Sequence, residues 1–110
     1  VHNLSGMGPA NILAALDGGA TSIEGAICGL GGGIVMPTTM GSVGNFPSED
    51  IVHMLNEMGI DTGIDTRAAM EASKDIANMI EVTPRSHITN CGTRADVQEM
   101  GRKNPRAHPV

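Results

Sequence analysis

One glycine-rich segment without a charged residue is a candidate for chemistry. It fills positions 29–45 and reads GLGGGIVMPTTMGSVGN. Flexible linkers are usually richer in Ser, Pro and charge, whereas this segment also carries the apolar residues Ile34, Val35 and Met36. A loop of this length inside a compact domain is uncommon and is usually either functional or disordered. We therefore predict an active-site loop that folds over a substrate.

Two nucleotide-binding patterns are excluded by the residues they require. A dinucleotide fingerprint needs G-x-G-x-x-G opening into a helix, and Gly29 and Gly31 supply its first two glycines, but Ile34 stands at the third. A P-loop needs Gly-Lys-Ser/Thr, and positions 29–45 contain no lysine. The loop is therefore not expected to cradle a nucleotide.

Other clusters of ligand-type residues have the wrong spacing for common metal motifs. Asp61 and Asp65 are not spaced as in a calcium loop, so we expect them to serve in a turn and a helix cap. His87, Cys91 and His108 match no zinc pattern. None of these residues is predicted to bind a metal.

The composition limits the class of protein. The 110 residues allow one domain at most, and the core has few rigid anchors, since the chain holds one aromatic residue, eight methionines and fifteen glycines. We do not expect it to form a stable fold alone. Only two cysteines occur, which favours a reduced compartment, and we expect a cytoplasmic protein, with an organellar one as the alternative. No apolar run approaches membrane-spanning length.

Charge is divided unevenly along the chain. Residues 1–82 hold ten acidic side chains against two basic ones, and residues 83–110 hold five basic against two acidic. A basic tail of this kind binds a phosphorylated ligand, a nucleic acid or the acidic body of its own protein. The chain has no aromatic residue besides Phe46 to stack on bases, so nucleic acid is the weakest of these alternatives. We expect the tail to dock on its own protein.

The first elements predicted are a helix and a strand. Pro9 suits the first position of a helix, and Gly18 is placed to end it. The apolar side chains expected on one side of this helix are Ile12, Leu13 and Leu16. The segment Thr21–Cys28 is short, mostly apolar and bounded by glycines, which is typical of a strand buried on both faces.

A second helix is predicted after the glycine-rich loop. Ser48 is expected to cap it, and its first turn carries Glu49 and Asp50, which favour a helix start. Its apolar stripe is predicted to be Ile51, Leu55 and Met58.

Two more helices follow. The third is expected to begin at Asp65 or Thr66, with an inward face made of Ala69, Ala72, Ile76 and Ile80. Thr93 and Asp96 have the spacing of a capping box for a short helix that reaches Met100.

Helix, buried strand, glycine-rich loop and helix alternate as in a parallel α/β protein. In such folds the ligand lies at the carboxyl ends of the strands, where the loop after Cys28 falls. A barrel of this kind takes about 250 residues. We therefore predict the C-terminal portion, the last strand–helix units, of a (β/α)8 TIM barrel over residues 1–82, followed by a C-terminal helical tail over residues 83–110.

Three motifs in order carry a family resemblance. HNLSGMGPAN at 2–11, GLGG at 29–32 and GNFPSEDIVHML at 44–55, the last followed by EMGIDTGID, resemble the hydroxymethylglutaryl-CoA lyase family. That family belongs to a group of metal-dependent barrels that also includes isopropylmalate and homocitrate synthases. The resemblance covers residues 1–80 and implies a carbon–carbon lyase that cleaves a 3-hydroxy-acyl-CoA to acetyl-CoA and an oxo acid.

The resemblance also implies site residues. His2 matches a histidine ligand of a divalent metal, Asn45 matches an asparagine that completes the metal shell, and Glu49 matches an acidic residue that supports catalysis by hydrogen bonding. Imidazole and amide oxygen together with a carboxylate suit Mg²⁺ or Mn²⁺. The substrate loop would include Gly31, Gly32, Gly33 and Met36. The partners implied are an acyl-CoA or 2-oxo acid and further copies of the chain, with neither nucleic acid nor a membrane.

One position departs from the lyase pattern. The lyases place a catalytic cysteine directly after GLGG, where this chain has Gly33, and Cys28 lies five residues upstream. The condensing synthases carry a Glu-Arg pair in this loop, which is also missing. The alternatives to a lyase are therefore a related acyl-CoA condensing synthase or aldolase, or an incomplete barrel fragment or interaction module without activity of its own.

Overall fold

The computed structural model describes residues 1–31, 34–35 and 42–104. Five helices lie in these ranges: α1 (Gly8–Asp17), α2 (Ser48–Glu57), α3 (Thr66–Ile80), α4 (His87–Cys91) and α5 (Arg94–Lys103). Two short 3₁₀ turns, Leu4–Gly6 and Ile27–Gly29, precede and follow α1. None of the helices in the described part of the chain is both long and apolar enough to cross a membrane.

Extended structure is sparse in the described residues. Two strands of two residues each, β1 (Ile34–Val35) and β2 (Ser42–Val43), pair antiparallel. Two isolated bridges join His2 to Asn45 and Ala26 to Pro47, the first antiparallel and the second parallel.

The predicted buried strand Thr21–Cys28 is wrong. Its first residues are exposed and take no regular structure, and its last residues form the turn Ile27–Gly29. Residues 24–26 do make hydrogen bonds to two other segments. The Val1 amino group donates to the Glu24 carbonyl, and Ala26 exchanges backbone hydrogen bonds with the segment 46–48. A buried parallel strand needs a paired strand along its whole length. The described residues offer residues 21–23 no such strand.

The core lies between α1 and α2. Its buried members are Ile12, Phe46, Ile51 and Leu55, with Val1, Leu16, Ile23 and Met54 packed at the edge. Burying an aliphatic side chain of this size stabilises the fold by about 1.5–3 kcal/mol. α2 also packs against α3, α4 and the turn Ile27–Gly29, so it is the central element of the described structure.

The predicted helices are found, but parts of their inward faces differ. α1 begins one residue before Pro9, and its inward side holds Ile12 and Leu16, whereas the prediction for Leu13 is wrong, since that side chain is 41% exposed. In α2, Ile51 and Leu55 are buried as predicted, but Met58 lies beyond the helix end and is exposed. Ser48 is the first helical residue and its side chain makes no capping bond, so the predicted cap is wrong.

The inward face of α3 is rotated by one residue from the prediction. The buried residues are Met70, Ser73 and Ala77, while Ala72 and Ile80 are exposed. Ser73 can lie inside because its hydroxyl is bonded to the Met70 carbonyl and to the Thr89 hydroxyl. A hydrophobic pattern does not detect an inward position that is filled by a satisfied polar side chain.

Both predicted polar starts of the later helices are confirmed. The Asp65 carboxylate accepts a hydrogen bond from the Ala68 N–H at the start of α3. Thr93 and Asp96 form a reciprocal capping box at the start of α5.

The described C-terminal helices contact the body of the chain through polar groups of both charge signs. The Arg94 guanidinium lies 3.2 Å from a carboxylate oxygen of Glu57, and its backbone N–H donates to the His53 ring. Arg67 of α3 pairs with Asp96 of α5. The first ion pair joins a basic residue of the C-terminal segment to an acidic residue of the body, and the second joins a basic residue of the body to an acidic residue of α5.

Candidate active site

His2 and Asn45, far apart in sequence, are adjacent in space. They face each other in the antiparallel bridge, and His2 Nδ1 lies 3.2 Å from the Gly44 carbonyl oxygen. A carbonyl oxygen only accepts, so in this bond Nδ1 carries the proton and the basic lone pair of the neutral ring is on Nε2. A histidine whose other ring nitrogen is fixed by a carbonyl has the arrangement usual for a metal ligand.

The amide of Asn45 is oriented by the backbone beside it. Its Nδ2 donates to the Leu30 carbonyl at 2.9 Å, so the oxygen end of the amide is the end left for another partner. Gly31 lies directly against the same nitrogen, and a Cβ at Gly31 would come within 2.6 Å of it. The start of the glycine-rich loop is thus in contact with a predicted ligand.

Glu49 lies beneath the turn Ile27–Gly29. It is fully buried, and both carboxylate oxygens accept from the Cys28 N–H, at 3.0 and 3.1 Å. Cys28 has a φ of +60°, a conformation that non-glycine residues rarely adopt. The described contacts give Glu49 a part in holding this turn, and its catalytic assignment stays a prediction.

Cys28 is not a replacement for the cysteine that the lyases have at the position of Gly33. Its side chain is 1% exposed, and Sγ donates to the Ser73 carbonyl at 3.1 Å. Burial, together with the nearby Glu49 carboxylate, raises the pKa of the Cys28 thiol. The thiol is therefore protonated at neutral pH, and its burial leaves it almost no exposed surface for contact with a substrate.

The donor set fits part of a divalent-metal site. Imidazole nitrogen and amide oxygen are both acceptable to Mg²⁺ or Mn²⁺, and the two residues that carry them are paired across a backbone bridge. In the described ranges no group of three His, Cys, Asp or Glu side chains is placed to hold a metal. His2 and Asn45 would therefore supply two ligands of a set of about six.

Several residues predicted for the substrate loop, and one ligand-type residue, lie outside the described ranges: Gly32, Gly33, Met36 and His108. Gly31 is the one member of the predicted loop set within them. His87 and Cys91 are both exposed, and among the described residues neither belongs to a group of three potential metal-binding side chains.

Two residues that the motifs did not indicate lie beside the site. Asp50 and Arg85 line a cavity of about 250 Å³ that Asn45 also lines. Asp50 is buried, and its carboxylate accepts from the N–H groups of His87 and Ile88. Its position in the first turn of α2 indicated only a favourable helix start, because nothing local reveals a partner 37 residues away.

The model of the HMGL-like family matches residues 1–76, so the chain belongs to this family. The cytoplasmic 3-hydroxy-3-methylglutaryl-CoA lyase of Rattus norvegicus is 36% identical over 97 residues, 88% of this chain and 27% of the relative. The 4-hydroxy-2-oxovalerate aldolase 3 of Azotobacter vinelandii is 43% identical over 75 residues, 68% of this chain and 19% of the relative.

A solved structure of an HMG-CoA lyase is also similar to this chain. The HMG-CoA lyase of Acinetobacter baumannii, in complex with coenzyme A and 3-methylmalate, has a TM-score of 0.73 and 32% identity, over 99% of this chain and 32% of that one. The chain thus spans less than a third of the length of each of these three proteins. The predicted family resemblance is confirmed, and the relatives are lyases and aldolases.

Proposed function

We propose that this chain supplies the last strand–helix units of a TIM-barrel catalytic domain in a divalent-metal-dependent carbon–carbon lyase. Residues 1–82 would belong to the barrel and residues 83–110 would form its C-terminal tail. The observation that carries the proposal is the adjacency of His2 and Asn45, with the Asn45 amide turned by Leu30 so that its oxygen end can take a partner. Family membership supports the reaction class.

In the proposed reaction a 3-hydroxy-acyl-CoA loses its hydroxyl proton and the bond between C2 and C3 breaks. The bonding electrons pass to the thioester as an enolate, protonation of C2 gives acetyl-CoA, and C3 becomes the carbonyl carbon of an oxo acid. When bound, Mg²⁺ or Mn²⁺ supplies Lewis-acid stabilisation of the oxygen that develops charge.

The residues of this chain hold and orient the reacting groups. His2 and Asn45 would bind the metal, and Glu49 keeps the turn at Cys28 in place through the N–H of that residue. Since Gly33 stands where the lyases have a cysteine and the Cys28 thiol is bonded inside the fold, the proton for C2 must come from water or from a group elsewhere in the polypeptide.

An aldolase acting on a 4-hydroxy-2-oxo acid is the second candidate. It is favoured by the 43% identity to the Azotobacter vinelandii aldolase and by the missing cysteine. Its chemistry also needs a hydroxyl proton to leave and an enolate to be stabilised, so the same two ligands would serve. A condensing synthase of the same group is the third alternative.

The test uses the full polypeptide that contains this chain, with Mn²⁺ affinity measured by titration and product release measured with a panel of 3-hydroxy-acyl-CoA esters and 4-hydroxy-2-oxo acids. We expect His2→Ala and Asn45→Ala each to weaken Mn²⁺ binding by about 100-fold, since each removes one ligand. The substrate that turns over decides between lyase and aldolase.

The matched control is Asn104→Ala, which removes an exposed asparagine at the end of α5. It should leave both Mn²⁺ affinity and turnover unchanged. Wild-type Mn²⁺ affinity in the His2 and Asn45 variants would overturn the proposal and leave an interaction module as the better description of the chain.

A further inference from the structure

We propose that Asp50 is a positioning residue for Asn45, acting through α4 and the Cys28 peptide without touching the substrate. The inference rests on the proposed metal-binding role of Asn45. Neither the motif match nor the helix pattern assigns Asp50 such a role, and three sets of hydrogen bonds connect it to Asn45.

The first contact fixes the Asn45 amide. Its only anchor among the described residues is the Leu30 carbonyl, which accepts from Nδ2 at 2.9 Å. Leu30 directly follows the turn Ile27–Gly29, and its own N–H donates to the Ile27 carbonyl at 3.1 Å. Any movement of this turn therefore moves the carbonyl that orients Asn45.

The second set of contacts holds the turn at the peptide groups of Cys28, whose φ of +60° is unfavourable for a side-chain-bearing residue. The Cys28 N–H is bound by the Glu49 carboxylate, and the Cys28 carbonyl accepts from the Arg85 N–H at 2.9 Å. A strained conformation persists only when its surroundings hold it, and here it is held from both ends.

The third set of contacts positions Arg85. It stands two residues before α4, a helix of five residues that is too short to be stable by itself. The Asp50 carboxylate anchors that helix start, since Oδ2 accepts from the His87 N–H at 2.8 Å and Oδ1 from the Ile88 N–H at 3.0 Å.

Glu49 and Asp50 thus act as a pair. They are neighbours in the first turn of α2. Glu49 accepts from the Cys28 N–H, and Asp50 binds the start of α4, which follows the Arg85 N–H that donates to the Cys28 carbonyl. We call Glu49, Asp50, Arg85 and Cys28 the turn clamp. The clamp explains how the C-terminal segment, which lies outside the three family motifs of the sequence, is connected to a predicted metal ligand.

The first test measures the clamp without any metal. In the full polypeptide, Asp50→Asn keeps the size of the side chain but leaves one acceptor oxygen for two N–H donors. The alkylation rate of Cys28 by iodoacetamide, read on its peptide by mass spectrometry with exposed Cys91 as the internal reference, should rise about tenfold through local opening.

The matched control is Asp96→Asn, which weakens the capping of α5 but does not contact the turn clamp. It should leave the Cys28 alkylation rate within about twofold of wild type.

A second pair of variants separates the contribution of the Arg85 backbone N–H from that of its side chain. Arg85→Pro deletes the N–H donor and should expose Cys28, whereas Arg85→Ala keeps the donor and should leave Cys28 protected. This pair gives a result even if Asp50→Asn does not fold.

The second test measures the consequence for the site. Asp50→Asn should weaken Mn²⁺ binding by about tenfold, as is common for residues that orient a ligand, while Asp96→Asn should not. Wild-type alkylation and Mn²⁺ binding in Asp50→Asn, or equal effects of both variants, would overturn the inference. If the wild-type protein itself binds no Mn²⁺ but Asp50→Asn still exposes Cys28, the clamp exists and the proposed function is the part that fails.

Discussion

Asn45 has an amide whose two ends have opposite hydrogen-bonding roles, and the Leu30 carbonyl selects one of them. Only the amide nitrogen can donate to a carbonyl, so Nδ2 binds Leu30 and the amide oxygen is left for another partner. Gly31 permits this contact because it has no side chain and adopts a φ of +105°. At the scale of single residues, one backbone oxygen and one missing Cβ therefore determine what a predicted ligand can bind.

Gly31→Ala tests this arrangement. The added Cβ would lie 2.6 Å from Asn45 Nδ2, so we expect Mn²⁺ affinity of the full polypeptide to fall by at least about tenfold, measured by titration. Gly63→Ala is the control, because Gly63 also has a positive φ but meets no atom within 4 Å. Both variants should lose about 1–2 kcal/mol of stability from the left-handed backbone. Equal Mn²⁺ affinities in the two variants would contradict the contact.

At the scale of elements, two polar contacts join helices at their first turns. Asp50 in the first turn of α2 binds the start of α4, and Asp96 in the first turn of α5 pairs with Arg67 of α3. Helix starts present unpaired N–H groups, so carboxylates placed there satisfy donors that would otherwise be lost. The C-terminal helices are thus joined to the body by polar contacts as well as by buried Ile88.

The Asp96 carboxylate gives this connection a pH dependence. The Arg67 guanidinium, followed by the Thr93 N–H, lowers the pKa of Asp96 to about 2. Because an unfolded aspartate titrates at about 3.9, the stability it contributes is present above that pH and is lost as the pH falls toward about 2.

We therefore expect the melting temperature, followed by circular dichroism, to fall less steeply between pH 4 and pH 2 in Asp96→Asn than in the wild type, and the effect to be small because the pair is exposed. Arg67→Gln should flatten the same interval, since the guanidinium is the main cause of the low pKa. A wild-type slope in both variants would show that another group controls acid unfolding.

At the scale of the whole molecule, four distant segments meet beside one end of α2. Residues 1–3, 24–31, 44–50 and 84–88 contact one another there, although they are spread over most of the chain. Large apolar side chains stay exposed elsewhere, including Met7, Leu13, Met58, Met79, Val97 and Met100. The candidate site is therefore well connected within the described structure, and two of its residues, His2 and Asn45, are proposed metal ligands.

The two proposed ligands yield a prediction for the isolated chain of residues 1–110. Under the proposed function, segments outside these residues contribute further ligands, so the isolated chain should bind Mn²⁺ at least about 100-fold more weakly than the full polypeptide. Parallel titrations of the two proteins at the same pH measure the difference. Equal affinities would mean that His2 and Asn45 are not part of a larger shared site.

The sequence by itself determined the family and the places of α1, α2, α3 and α5, whereas α4 was not predicted. Helix starts at Pro9, Asp65 and Thr93 depend on contacts within a few residues, so local patterns were enough to find them. The ordered motifs indicated His2, Asn45 and Glu49, and the structure places the first two side by side.

Only the tertiary structure decided which faces point inward and which backbone groups orient the site. The predicted strand at Thr21–Cys28 does not form because strands require partners, and the inward face of α3 depends on a Ser73 hydroxyl bonded to Thr89. The contact between Arg85 and Cys28 joins backbone groups 57 positions apart. Backbone groups are alike in every residue, so their pairing over long distances leaves no mark in the sequence and is set by the fold alone.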